Sequence, residues 1–233
     1  MHSLCAIIMI KLTNRLKMVA DMVPHCEKVV DVGTDHAYLP VYLIENKICD
    51  MALACDINEG PLNNADKTIK KYKLNSQINT RLSNGLDKVK GDEADTVVIA
   101  GMGGILISEI ISTKWLKDSK KQLVLQPMTH IYDVRKYLCE NGYDILDEQT
   151  TQEGKHIYYS VSAKYSGKEN IKPQWYYYFG DLLKSKKQSD IDFCNKIILS
   201  LNKKYEALKA LPDNYETDKL KKVLEEIKNE QCL

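Results

Sequence analysis

No Cys-x-x-Cys pair occurs among the seven cysteines of this chain (Cys5, Cys26, Cys49, Cys55, Cys139, Cys194 and Cys232), so neither a zinc site nor a thioredoxin-like motif is supported. An odd, scattered set of thiols suits a reducing compartment, and free cysteines in the cytoplasm are expected. Long hydrophobic runs are also missing. The N-terminal run 4–10 is too short to span a membrane, has no Lys or Arg before it, and has no small-residue cleavage pattern after it. Neither a membrane anchor nor a signal peptide is therefore expected. Amphipathic order begins only at Lys11, which raises Met9 as an alternative start to Met1. Charge of one sign is not in excess either: the formal net charge is +1, so a polyanionic partner would have to be met by local positive patches. Arg15, Arg81 and Arg135 are the only arginines, a lysine-rich bias that carries no function by itself. There are no internal repeats or low-complexity tracts, and nothing predicts a metal site or an obligate protein partner.

What is present is an ordinary apolar content of 44%, enough for a real core, laid out as alternating strand and helix signals. Leu12, Leu16, Val19 and Ala20 recur at helical spacing before Pro24. Strands are predicted at 28–32, 51–56, 78–82, 95–100 and 122–126, and helices at 38–46, 61–72, 104–112 and 131–141. Runs such as Val97-Val98-Ile99-Ala100 suit parallel strands covered on both faces. After Gly142, segments 143–150 and 156–164 flank Glu153-Gly154-Lys155 and read as a hairpin. The pattern is that of an α/β, doubly wound sheet with an antiparallel finish. From about residue 172 strand signals stop. Phe193, Ile197, Leu201, Leu208 and Leu211 share a helix face, Pro212, Asp213 and Asn214 break it, and Leu220, Leu224 and Ile227 resume it, as in an antiparallel helical (coiled-coil) hairpin. Two domains are expected, at 11–168 and 172–233.

The chemistry concentrates at predicted strand ends. The first strand runs into Asp31-Val-Gly33-Thr34-Asp35-His36, where a dinucleotide fold would carry Gly-x-Gly-x-x-Gly for a pyrophosphate. An aspartate aimed there repels phosphates and welcomes a cationic ligand, which favours S-adenosylmethionine over a nicotinamide dinucleotide. The alternative is that Asp35 merely caps the following helix. The second strand ends at Asp56-Ile57-Asn58, placing an acid where a ribose diol is read; a solvated loop acid is the plain alternative. Asn84-Gly85-Leu86 follows the third strand, either beside an adenine ring or as a simple turn. The fourth ends at Ala100-Gly101-Met102-Gly103-Gly104, read as an open glycine turn with free N–H groups, or as tight helix packing. No Asp/Asn-Pro-Pro-aromatic motif is present, so the acceptor atom is expected to have an in-plane lone pair and no proton to lose. Arg15 and Lys17 on the first helix, with Lys11, Lys184, Lys186 and Lys187, are candidate phosphate contacts.

Taken together, Asp31-Val-Gly-Thr-Asp-His-Ala-Tyr-Leu-Pro40, Asn58-Glu-Gly-Pro-Leu62, Ile99-Ala-Gly-Met-Gly-Gly104 and Leu125-Gln-Pro127 closely resemble the bacterial tRNA (adenine-22-N1)-methyltransferase family, the TrmK type. The resemblance runs from about Lys11 to the C-terminus. It implies a Rossmann-like class I methyltransferase domain, S-adenosylmethionine as donor, and a C-terminal helical domain that helps hold tRNA. It further implies that Asp31, Gly33, Thr34, Asp35 and His36 surround the methionine end of the donor, with Asp35 and His36 the catalytic candidates. Asp56, Ile57 and Asn58 would take the ribose, Asn84, Gly85 and Leu86 the adenine, and Ala100 and Gly101 would complete the cofactor site. Met102, Gly103, Gly104, Gln126, Pro127 and Met128 would shape the acceptor pocket. Two positions depart from the family pattern: Asn84 replaces an Asp, and Met128 an Asn. A methyltransferase for small molecules or proteins, or a non-catalytic binder of the donor, are the competing readings; methyl transfer to tRNA with and without adenine 22 separates them.

Overall fold

The computed structural model describes residues 10–210 and 215–231. The start at Met1 or Met9, the run up to residue 9, and the expected break at Leu211, Pro212, Asp213 and Asn214 lie outside the described residues, as do Cys5 and Cys232. The described chain forms one seven-stranded sheet with β1 (Cys26–Val32), β2 (Cys49–Asp56), β3 (Ile78–Leu82), β4 (Thr96–Gly103), β5 (Gln122–Thr129), β6 (Tyr143–Glu153) and β7 (His156–Tyr165), in spatial order β3-β2-β1-β4-β5-β7-β6. The first five strands are parallel and β7 is antiparallel to both neighbours. From β1 the chain winds outward through β2 and β3, then returns to β4 on the other side. That reversal puts the topological switch point at the carboxyl ends of β1 and β4, where open α/β sheets bind ligands.

Helices α1 (Asn14–Asp21), α2 (Tyr38–Glu45) and α3 (Glu59–Lys71) cover one face of the sheet. Val19, Leu43 and Ile69 pack there against Val29, Ala54, Val98 and Val124. The other face is covered by α4 (Gly104–Ile110) and α5 (Ile131–Glu140), followed by the C-terminal helices α6 (Gln174–Phe179), α7 (Gln188–Lys209) and α8 (Tyr215–Gln231). The strands are thus buried on both sides, which is why their sequences run apolar without alternation. The aromatic run Trp175–Phe179 is helical, with Tyr177 and Phe179 buried in the core. Phe193 of α7 stacks on Tyr159 of β7 at 5.7 Å, and Leu220, Val223 and Ile227 of α8 join the same cluster. The apolar core is therefore continuous from the sheet into the helical pair. Among the described residues no helix is long and apolar enough to cross a membrane.

A buried polar joint links the two regions. Glu148 of β6 accepts from Arg135 Nε of α5 and from the Tyr159 hydroxyl, and its other oxygen accepts from the backbone N–H of Asp181 at 3.1 Å. Arg135 Nη1 donates to the carbonyls of Tyr177 and Tyr178 at 3.2 and 2.8 Å, and the guanidinium lies 4.4 Å from the Tyr159 ring centroid. A second knot fixes the start of α7 to β6 through Thr150, Ser185 and Asp190.

One sequence expectation changes at the end of β4. Gly101, Met102 and Gly103 are not an open turn; they extend the strand. Pro127 opposite has no N–H to give the ladder. Gly101 becomes the extra residue of a bulge with φ +82°, pairing resumes at Met102 opposite Pro127, and a second shift precedes the pair Gly103 and Thr129.

Candidate functional site

The turn after β1 is tied to β2 by one carbonyl. Cys55 O accepts the N–H groups of Gly33 and Thr34 at 2.8 and 2.9 Å. This requires φ +81° at Gly33, and a Cβ there would also meet the tip of Met102, its Cε, at 2.2 Å. The buried Thr34 hydroxyl accepts the N–H of Ala37 at 3.2 Å, just ahead of α2. Capping by Asp35 is therefore not what the structure uses. Asp35 stays exposed, 3.2 Å from His36 Nε2, and His36 stacks on Tyr38 at 5.0 Å.

Asp31, Gly33, Thr34, Asp35, His36 and Ala100 line one cavity of about 290 Å³. That volume is at the small end for ligand pockets, so it suits one end of an extended ligand. Thr13, Arg15, Leu16 and Tyr38 complete its wall. Asp31 is 6% exposed. Burial lifts its carboxyl to about 6, Asp56 adding to the rise and the Thr34 hydrogen bond opposing it.

Asp56 marks the next strand end. Its Oδ1 accepts the Asn58 N–H at 2.7 Å and its carbonyl accepts the Ser83 N–H at 2.8 Å. Ile57 is exposed beside it. The loop after β3 is a turn held by Asn84, whose Nδ2 donates to Asp87 at 3.1 Å, while Leu86 is buried beneath. These three strand ends sit side by side along the β3-β2-β1 edge, with Asp56 and Asn84 outside the lining of the cavity at Asp31.

Across the switch point, Gln126 is fully buried. Its Oε1 accepts from Gly101 N–H at 3.1 Å and from Arg15 Nη1 at 2.8 Å, so the amide oxygen has two donors and the glycine N–H is not free. Met102 lies over Gly33, Gly103 and Gly104 lead into α4, Pro127 faces the bulge, and Met128 is exposed. Lys17 is turned elsewhere: it pairs with Asp21 and lies 5.7 Å from the Tyr42 ring centroid.

Two participants were not visible in the residue patterns. Glu153, at the tip of the β6–β7 hairpin, accepts the Arg15 backbone N–H at 3.0 Å, which holds its carboxyl below the usual range and pins α1 over the sheet. Tyr158 of β7 lies under the Arg15 guanidinium, 5.7 Å from centroid to Cζ. Both act across more than a hundred residues of chain, and neither has a local signature. A larger groove of about 490 Å³, lined by Ile105 and Tyr137 among others, opens between α4 and α5 and holds none of the predicted residues.

The arrangement favours a ligand with positive charge at the β1 end and a sugar at the β2 end. A buried carboxylate, not a row of glycine amides, faces the cavity, so a pyrophosphate does not fit and the sulfonium and ammonium of S-adenosylmethionine do.

Comparison with known proteins gives the same direction. The family described as "Methyltransferase domain" matches residues 12–161. The tRNA (adenine(22)-N(1))-methyltransferase of Bacillus subtilis (strain 168) is 38% identical over 156 residues, 66% of this chain and 66% of that protein. The alignment thus spans just under two thirds of that curated relative's length. The crystal structure of the B. subtilis M1A22 tRNA methyltransferase TrmK superposes with a TM-score of 0.79 at 31% identity, covering 95% of this chain and 96% of the other. The structure of M. capricolum TrmK in complex with S-adenosyl-homocysteine has a TM-score of 0.80 at 29% identity, covering 94% and 97%.

Proposed function

The chain belongs to the TrmK-type tRNA (adenine-22-N1)-methyltransferase family, and from that premise we propose that it transfers the methyl group of S-adenosylmethionine to N1 of adenine 22 in tRNA. The observation that carries the reading is the buried Asp31 beside the left-handed Gly33, which makes the switch-point cavity a seat for a cation. When bound, S-adenosylmethionine supplies an electrophilic sulfonium methyl.

The chain's own residues do the positioning. Asp31, Gly33 and Thr34 hold the methionine end, with Ala100 and Gly101 at its floor. Asp56, Ile57 and Asn58 take the ribose, and Asn84, Gly85 and Leu86 the adenine of the donor. Asp35 and His36 stand at the mouth of the cavity, where a carboxylate favours the positive charge that develops on the methylated ring. Met102, Gly103, Gly104, Pro127 and Met128 shape the acceptor side. Gln126, with both lone pairs engaged, supports that pocket and does not read the base.

Adenine N1 carries a free lone pair at neutral pH, so no general base is needed. Holding N1 in line and near attack distance supplies roughly 7–11 kcal/mol of the barrier. To present that edge the base must leave its stack, at a cost of a few kcal/mol unless it is already unpaired.

The division of labour follows the chain: residues 11–168 as the methyltransferase domain, and 172–233 as the domain that helps hold tRNA. Lysines of the helical pair supply that affinity; on α1, Lys17 is held by Asp21 and Arg15 is turned inward onto Gln126. Work on tRNA implies a cytoplasmic enzyme, with no protein partner required. The test is transfer of labelled methyl groups to two unmodified tRNA transcripts, one with adenine at position 22 and one with guanine. Labelling of the first alone is expected; equal labelling would remove the position, and none at all would remove the substrate.

A further inference from the structure

We propose that the groove between α4 and α5 binds a linear polyamine, a ligand that carries ammonium groups on an aliphatic chain. The inference goes beyond the methyl-transfer reading and does not depend on it.

At about 490 Å³ the groove has the size of a small-molecule site. The half-exposed Ile105 and the Tyr137 ring give it apolar walls. Its polar atoms have mainly lone pairs left to offer. Ser108 Oγ donates to the Gly104 carbonyl at 2.9 Å, and Ser112 Oγ donates to the Glu109 carbonyl at 2.6 Å. Both hydroxyls can then only accept. Asn141 Nδ2 is engaged as well, on the Tyr137 carbonyl at 3.0 Å. Glu109 on α4 and Glu140 on α5 form no ion pair among the described residues, and Asp133 meets His130 Nδ1 at 3.0 Å. Against these three carboxylates the lining has one lysine, Lys136.

A second observation comes from behind the wall. Tyr143 is 1% exposed, and its hydroxyl has no hydrogen-bond partner. Burial above all, then the neighbouring Tyr137, pushes its titration up. Buried polar groups are almost always paired, so an orphan hydroxyl beside the groove also calls for a partner with polar hydrogens.

A matching ligand is rich in N–H donors, positively charged, and apolar between its charges. A polyamine meets all three demands. Its ammonium groups would give charge-assisted hydrogen bonds to Glu109 and Glu140 on opposite walls, with methylenes lying on Ile105 and Tyr137. A bare metal ion leaves the apolar walls unused. The groove shares no lining residue with the cavity at Asp31. It lies behind the acceptor turn, where an added Cβ at Gly104 would meet the His130 carbonyl oxygen at 2.4 Å and the two helices close on each other.

Calorimetry on the full chain, free of tRNA, tests this with spermidine and with n-butylamine, which has a single charge. Spermidine is expected to bind at least about tenfold tighter than n-butylamine, and S-adenosylmethionine should not displace it. Glu109→Gln/Glu140→Gln should weaken spermidine by about 10–100-fold, the range of hydrogen bonds to charged groups. The charge-matched control Asp50→Asn/Glu225→Gln, exposed on β2 and α8, should cost less than about threefold. Ile105→Lys keeps every carboxylate but puts a cation on the apolar wall, and should lose as much as the groove pair. Spermidine that binds no tighter than n-butylamine overturns the proposal without any variant. Equal losses in the groove pair and the control pair overturn it too, since they would mean attraction to the whole surface. Competition between spermidine and S-adenosylmethionine would place the amine in the other cavity and equally overturn it.

Discussion

At the scale of single residues, the chemistry turns on a carboxyl that burial has made reluctant to ionise. In the free protein Asp31 titrates at about 6, above its ordinary 3.8. Its contribution to stability is therefore present below about pH 4 and is lost as pH rises through about 6. A bound ammonium reverses the preference, because it favours the carboxylate. Donor binding near pH 6 should then release a proton from Asp31, and affinity should fall toward tenfold per pH unit as pH drops below 6. Titrations at pH 6 in buffers of different ionisation enthalpy measure that release directly. Asp31→Asn should bind more weakly at pH 7.5 and abolish the proton linkage; unchanged linkage would mean another group is titrating.

Elements are held in place here by a few long-range polar contacts laid over an apolar sandwich. The Arg135–Glu148 pair is the clearest, since both side chains are almost fully buried and join α5, β6 and the start of the helical region. Glu148→Gln leaves the guanidinium without its counter-charge, a change that typically costs about 3–5 kcal/mol. The midpoint of denaturant unfolding should drop accordingly, and the double variant Arg135→Met/Glu148→Met should recover much of the loss. These joints are also where the sequence was least informative. The five parallel strands and their helices were legible because each carries its own signal, such as the apolar run Val97–Ile99 or the Gly142 that follows α5. The strand ends at Asp31 and Asp56 were legible because fold topology places acids there. The bulge at Gly101 was not, because it depends on Pro127 in the adjacent strand. Nor was the inward turn of Arg15, which needs Gln126 and Tyr158, or the capping of α1 by Glu153. Each joins residues far apart in the chain, and periodicity reports only near neighbours.

Taken whole, the molecule has a chemical edge at the strand ends and a helical pair on one flank that shares its core. Of the lysines expected after the aromatic run, Lys184 pairs with Glu230 at 3.0 Å and Lys187 donates to the Thr150 carbonyl at 2.7 Å, so both have structural duties. The exposed Lys203 of α7 and Lys221 and Lys222 of α8 are better placed to meet phosphates. Reversing all three to Glu should weaken tRNA binding and flatten its salt dependence by about 0.7–0.9 in log–log slope for each phosphate left without its cation, with donor affinity unchanged. Filter binding across a salt series reads both, and an unaltered slope would remove the helical pair from the tRNA surface. The long reach of α1 has a temporal side. Arg15 donates its backbone N–H to Glu153, 138 residues downstream. At about 5–20 residues per second, a ribosome needs roughly 7–30 s to make the residue that secures a helix it finished early. Until the hairpin emerges, the helix that supplies Thr13, Arg15 and Leu16 to the cofactor cavity therefore lacks its anchor at Glu153.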